Sequence, residues 1–177
     1  MFGPFGRHEV ESLAVVSILV LLAGGCVLGA TQGGSGSGAD GVAAALERGD
    51  SEAALGVATA MAERDPGDDA AWLSVVHAAT LARGAASREA VGALSRSYAA
   101  RPFASPALAR WRVDWADAHW ESVPDPLAEA TLAQVRALGA LGRTYDARFA
   151  WCRGARTAAI REAACATLDD AGAGRSS

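Results

Sequence analysis

The chain has 177 residues, a net formal charge of -4 and basic residues that are all arginine. No stretch concentrates positive charge, so the composition argues against a nucleic-acid-binding surface. Alanine, leucine, arginine and glutamate fill the intervals between glycines and prolines, which predicts an all-α protein.

The first predicted element is an uncharged, largely apolar run at residues 13–30. A helix of this length rises about 27 Å, close to the roughly 30 Å hydrocarbon core of a bilayer. Arg7 precedes the run, whereas residues 31–39 carry no charge. The positive-inside bias therefore predicts a cytoplasmic segment at 1–12, a transmembrane signal-anchor at 13–30 and a periplasmic domain on a bacterial inner membrane.

Two other fates of this run stay open. Ala23-Gly24-Gly25-Cys26 resembles a bacterial lipoprotein signal, in which Cys26 is lipidated after cleavage. Cleavage after Ala30 would instead release a secreted protein. Gly25 and Gly29 also form a G-x-x-x-G step, the spacing at which membrane helices dimerise, although other small residues surround them.

Residues 31–40 have the Gly/Ser composition of a flexible linker, and no Gly-Lys-Ser/Thr follows to make it a phosphate loop. Residues 41–170 are predicted to form one helical domain, and the polar residues 171–177 a disordered tail. We expect the linker to give the domain reach from the membrane.

The domain begins with a pattern of helices separated by turn residues. A short cap at residues 40–48 leads to Gly49-Asp50, and the next helix ends at Asp65-Pro66. Within that helix Ala54 is a small residue suited to close packing, and Ala58 is also small.

A second unit follows the same plan. Trp72 opens a helix, Gly84 marks its turn, and a helix over 87–100 leads to Pro102. Pro66 and Pro102 are 36 residues apart, near the 34-residue period of one class of helical repeat.

Together these units resemble the tetratricopeptide repeat. Trp72, Val75, Val76 and Ala79 stand where its W-x-x-L-G-x-x-Y pattern has Trp, Leu, Gly and Tyr. The chain departs from the family at Ala58, where a large aromatic is usual. The resemblance covers residues 43–120 and implies a short solenoid of helical hairpins, with an irregular all-α bundle as the alternative.

Further amphipathic helices complete the domain. Ser105-Pro106 caps a helix that continues to Glu121, with Leu108, Trp111 and Trp115 on one face. Asp125-Pro126 starts another over 127–141, and residues 146–152 and 157–168 form a final predicted pair.

The resemblance implies that the first helix of each pair lines a groove for a peptide or a partner helix. Carried over by position, this groove includes five side chains: Leu73, His77, Thr80, Val113 and Asp117. Trp120 is added as an aromatic anchor, although burial in the core is the favoured reading of that residue.

Metal and catalytic patterns are absent from the sequence. His8, His77 and His119 are remote from one another, and none lies in H-E-x-x-H. An enzyme would need a pocket assembled from distant residues such as His77, His119 and Asp117. We therefore predict neither catalysis nor a cofactor.

Cys152 and Cys165 fall on successive predicted helices. In a periplasmic domain they form either a disulfide or two buried thiols, and the spacing suits both. The combined expectation is a membrane-anchored scaffold that binds a protein partner in an envelope complex for secretion, surface-polymer export or assembly. Homo-oligomers have no support in the sequence.

Overall fold

The computed structural model describes residues 36–102, 105–140 and 145–173. Over these residues the chain forms eight α-helices and a short 3-10 turn, which confirms the all-α prediction for this part of the chain. The helices are α1 (Gly36–Glu47), α2 (Ser51–Arg64), α3 (Asp69–Arg83), α4 (Arg88–Ala100), α5 (Pro106–Ala118), α6 (Asp125–Ala140), α7 (Tyr145–Gly154) and α8 (Ala158–Ala173), with the 3-10 turn at Trp120–Ser122.

The predicted membrane run at 13–30, including Gly25, Cys26 and Gly29, lies outside the described residues. None of the helices in the described ranges is long and apolar enough to cross a bilayer. The predictions of an anchor, of lipidation and of helix dimerisation therefore stay predictions.

The predicted turn residues lie at helix boundaries: glycines follow the ends of helices, and Asp or Ser residues precede their first turns. Gly49 and Gly84 adopt φ angles of 74° and 88°, a left-handed conformation that glycine tolerates without strain. The side chains of Asp50, Ser87 and Ser105 accept backbone N–H groups in the first turns of α2, α4 and α5. These caps satisfy donors that a helix start leaves unpaired.

Helix α1 begins at Gly36, inside the segment whose composition predicts a flexible linker. Two of its glycines lie at a close helix contact: a Cβ at Gly38 would come within 2.6 Å of Met61 Sδ, and one at Gly41 within 3.3 Å of Val57. Glycine here permits α1 to approach α2. At the other end α8 continues to Ala173, into the predicted tail.

Helices α1 to α4 pack as consecutive neighbours, each against the next. Alanine supplies much of their shared core, and several of these side chains are fully buried: Ala54, Ala58, Ala62, Ala78, Ala79 and Ala90. Trp72, Leu73 and Leu94 are the bulky members of the same cluster. Small side chains allow the helix axes to lie close together.

The later helices surround α6, which contacts α4, α5, α7 and α8. A second apolar cluster fills this region, with Val113, Val135, Trp151 and Ile160 among its buried side chains. Helix α5 ends at Ala118 rather than at the predicted Glu121, because the chain tightens there into the 3-10 turn.

A buried arginine joins the two regions. Arg112 in α5 is fully buried, and its guanidinium donates to Ser97 Oγ (3.0 Å), to the carbonyl of Ser97 (2.7 Å) and to that of Arg101 (2.9 Å). Its Nη2 lies 3.4 Å from Asp69 Oδ2, an ion pair between side chains that are almost wholly buried. Desolvation lowers the pKa of Arg112, and the neighbouring Tyr98 and Asp69 oppose that shift.

The polar network extends from Arg112 into α6. The guanidinium carbon lies 4.7 Å from the centre of the Tyr98 ring, and the Tyr98 hydroxyl lies 3.1 Å from Thr131 Oγ1 and 3.2 Å from Gln134 Oε1. Burial raises the pKa of Tyr98. Side chains from α3, α4, α5 and α6 therefore meet in one hydrogen-bonded group.

Cys152 and Cys165 are bonded as a disulfide that joins α7 to α8. The sequence left open a disulfide or two buried thiols, and the structure contains the disulfide. Because disulfides persist in oxidising compartments, the bond indicates an extracytoplasmic location.

Candidate partner-binding surfaces

The predicted groove residues on α3 have unequal exposure. Leu73 is 1% exposed and packs in the apolar core, so it is not available to a partner. Thr80 is partly buried: its hydroxyl donates to the carbonyl of Val76 (2.7 Å) and accepts the indole N–H of Trp115 (3.1 Å). Thr80 therefore links α3 to α5.

His77 lies between these two positions and is partly buried. Among the described residues its Nε2 is buried without a hydrogen-bond partner. Desolvation lowers the pKa of His77 below its ordinary 6.5, which favours the neutral imidazole.

The groove residues predicted on and after α5 also take separate roles. Val113 is fully buried in the second cluster. The carboxylate of Asp117 accepts the backbone N–H groups of Arg156 (2.9 Å) and Thr157 (2.7 Å), just before α8 begins. Trp120 is partly buried and packs against both apolar clusters.

The histidine and carboxylate candidates for catalysis lie in different environments. The His119 ring is 5.1 Å from that of Trp115, centre to centre, while Asp117 holds the start of α8. In the described ranges no group of three or more His, Cys, Asp or Glu side chains is arranged to hold a metal ion.

A neighbouring carboxylate on α5 has a structural partner. Asp114 Oδ1 accepts the indole N–H of Trp151 at 2.7 Å, and this bond connects α5 to α7. Burial raises the pKa of Asp114, while Trp151 and Arg110 oppose the shift. Asp114 and Asp117 both stabilise contacts between helices.

An open cleft lies on another face, where the ends of α2 and α4 approach the start of α3. Its volume is about 520 Å³, within the range of ligand-binding sites. Six residues line it: Glu63, Pro66, Trp72, Arg96, Ala99 and Ala100. We call this feature the Trp72 cleft.

Trp72 is fixed at the base of the cleft. Its indole N–H donates to the carbonyl of Pro66 at 3.0 Å, so the ring is tied to the turn before α3. The guanidinium carbon of Arg96 lies 4.7 Å from the ring centre, a cation–π arrangement. Although Trp72 is only 4% exposed, Arg96 covers it with a side chain that is itself exposed.

The sequence pattern indicates Trp72 as a repeat residue but gives no role to Arg96 or Glu63. Arg96, Ala99 and Ala100 have the three- and four-residue spacing of one helix face. That spacing is the signal in the sequence, but nothing in it shows that the face meets Trp72.

Comparison of the chain with protein-family models, with curated proteins and with solved structures finds no match.

Proposed function

We propose that this protein is a membrane-tethered binding module that holds a protein partner in a bacterial envelope complex. The observation that carries this proposal is the Trp72 cleft, which combines small apolar side chains with the exposed charges of Glu63 and Arg96 on an open surface. Such a combination suits recognition of a protein segment. The expected processes are secretion, surface-polymer export or assembly.

The consecutive packing of α1 to α4 supports a short tetratricopeptide-like solenoid within this proposal. In that arrangement α1 and α2 form one helical hairpin and α3 and α4 the next. The Trp72 cleft lies where the two hairpins adjoin, because its residues come from α2, α3 and α4.

The proposed location is the periplasmic side of the inner membrane. The Cys152–Cys165 disulfide supports an oxidising compartment, and the apolar run at 13–30 supports a tether. A tether raises the effective concentration of the domain near membrane partners, so that weak contacts suffice. Mass analysis of the amino terminus separates an intact Met1, expected for an anchor, from a lipidated Cys26.

The binding proposal is tested by photocrosslinking in cells. A photoreactive amino acid replaces Ala99, an exposed cleft residue, in the full-length chain, and the matched control carries it at Ala133, an exposed alanine on α6. We expect a covalent adduct with a second protein from position 99 alone. Equal adducts from both positions, or none from position 99, would overturn the proposal.

A further inference from the structure

The Trp72 cleft carries two exposed charges of opposite sign. Glu63 comes from the last turn of α2, and Arg96 from the second half of α4. Neither residue takes part in an ion pair within the part of the chain that the structure describes. Both charges are therefore available to a ligand.

Arg96 differs in this respect from two other arginines. The guanidinium of Arg83 is occupied by Glu52 (3.1 Å) and Glu89 (2.6 Å), and that of Arg112 lies in the buried network. The guanidinium of Arg96 lies over the Trp72 ring. None of the ion pairs in the described ranges uses its N–H groups, so they can bind a carboxylate.

The rest of the cleft supplies apolar contact. Pro66, Ala99 and Ala100 line the cleft with apolar surface, above a Trp72 ring that Arg96 covers. An apolar side chain of a ligand would lose water against these groups, which favours binding. Glu63 would repel a second acidic group and attract a basic one.

From this arrangement we infer that the Trp72 cleft binds a segment of a partner protein that presents an acidic residue, a basic residue and an apolar side chain. The acidic residue pairs with Arg96, the basic residue with Glu63, and the apolar side chain packs beside the exposed Pro66 and Ala99. This inference rests on the proposed binding function and specifies the chemistry of the partner.

The first test removes the charge of Arg96 and keeps its packing. Arg96→Met is introduced into the full-length chain that carries the photoreactive residue at position 99. Methionine retains an apolar stem to cover Trp72 but cannot bind a carboxylate. The yield of the adduct should fall about tenfold, the loss expected for one charge-assisted hydrogen-bonded contact.

The matched control is Arg88→Met, an exposed arginine on the same helix outside the cleft. The adduct yield should be unchanged in this variant, and thermal unfolding of both variants shows whether each is folded. Unchanged yield in a folded Arg96→Met protein would overturn the inference about the partner's charge while the binding function stands. If the protein without these substitutions also forms no adduct, the binding function itself is overturned.

The second test asks for reciprocal rescue. Mass spectrometry of the adduct identifies the partner segment, which should contain an acidic residue within a few positions of the crosslink. Arg96→Glu should abolish the adduct, and replacement of that acidic residue by arginine should restore it. A segment without acidic residues, failure of rescue, or an adduct made of two copies of this chain would each overturn the inference.

Discussion

Helices α1 to α4 and helices α5 to α8 pack through similar apolar cores but differ in the bonds that link their helices. In the first region, fully buried alanines such as Ala54, Ala58 and Ala79 bring helices together along their length. In the second, buried alanines such as Ala109 and Ala164 pack with Trp151 and Ile160, and a disulfide joins two of the helices. Both regions therefore depend on the close fit of small side chains, and the second region also has a covalent bond between helices.

Helix α5 connects the two regions because it makes bonds in both directions. Arg112 and Trp115 reach back to α3 and α4, whereas Asp114 and Asp117 reach forward to α7 and to the start of α8. These four side chains occupy less than two helical turns. The first substitution proposed below is therefore in α5, and the next ones are in the core of each region.

The largest effect is expected for Arg112→Met. The substitution leaves the buried Asp69 carboxylate and the carbonyl of Ser97 without their donor, and breaking a buried ion pair from one side costs about 3–5 kcal/mol. Arg110→Met is the control, since Arg110 is exposed and pairs with Asp114 at the surface. Urea unfolding should show a loss below about 1 kcal/mol for the control. Equal losses would contradict the role of the buried network.

Removal of the disulfide should have the next largest effect. Cys152 and Cys165 are 13 residues apart, and a bridge closing a loop of about 15 residues contributes about 3 kcal/mol in the chain-entropy treatment. Cys152→Ala with Cys165→Ala should destabilise the protein by about that amount. Amide hydrogen exchange should increase in α7 and α8 more than in α2 and α3. An equal increase in amide exchange in all four helices would show that the disulfide does not stabilise the second region selectively.

An enlarged side chain tests the close fit of the first region. Ala58→Leu should cost about 1–3 kcal/mol, because Ala58 is fully buried and the helices must separate to admit the extra atoms. Ala60→Leu, on the exposed face of the same helix, is the matched control and should change stability by less than about 0.5 kcal/mol. Equal stability of the two variants would indicate spare room beside Ala58.

The smallest expected effect is a pH dependence from His77. Its pKa is lowered by burial, so below its ordinary value of 6.5 the unfolded chain binds more protons than the folded protein. Stability is therefore full above that pH and falls as the pH decreases, by at most about 1.4 kcal/mol between about pH 7.5 and 5.5. His77→Gln should remove this component from urea unfolding. Identical pH profiles for the two proteins would contradict it.

The ends of the helices could be predicted from the sequence because local groups determine them. Asp50, Ser87 and Ser105 act as caps, while Gly49 and Gly84 adopt the positive φ angles that glycine tolerates where a helix ends. Composition was less reliable for α1. Glycine is typical both of a flexible linker and of a close helix contact, and only the position of Met61 distinguishes them.

The candidate surfaces could not be predicted with the same success, because burial depends on neighbours that are distant in sequence. Positions carried over from the repeat pattern put Leu73 and Val113 in a groove, but adjoining helices cover both side chains. One signal was available for Arg112. It stands four residues after Leu108 and three before Trp115, on an apolar helix face where a charged residue requires a buried partner.

The bonds made by α5 also bear on the order in which the domain can fold as the chain is synthesised. Arg112 contacts Asp69, 43 residues earlier, and Asp117 contacts Thr157, 40 residues later. A polypeptide is synthesised amino end first, so the partners of Arg112 are made before α5 and those of Asp117 after it. The linking helix thus acquires its full set of bonds only once residues 156–157, just before α8, have been made.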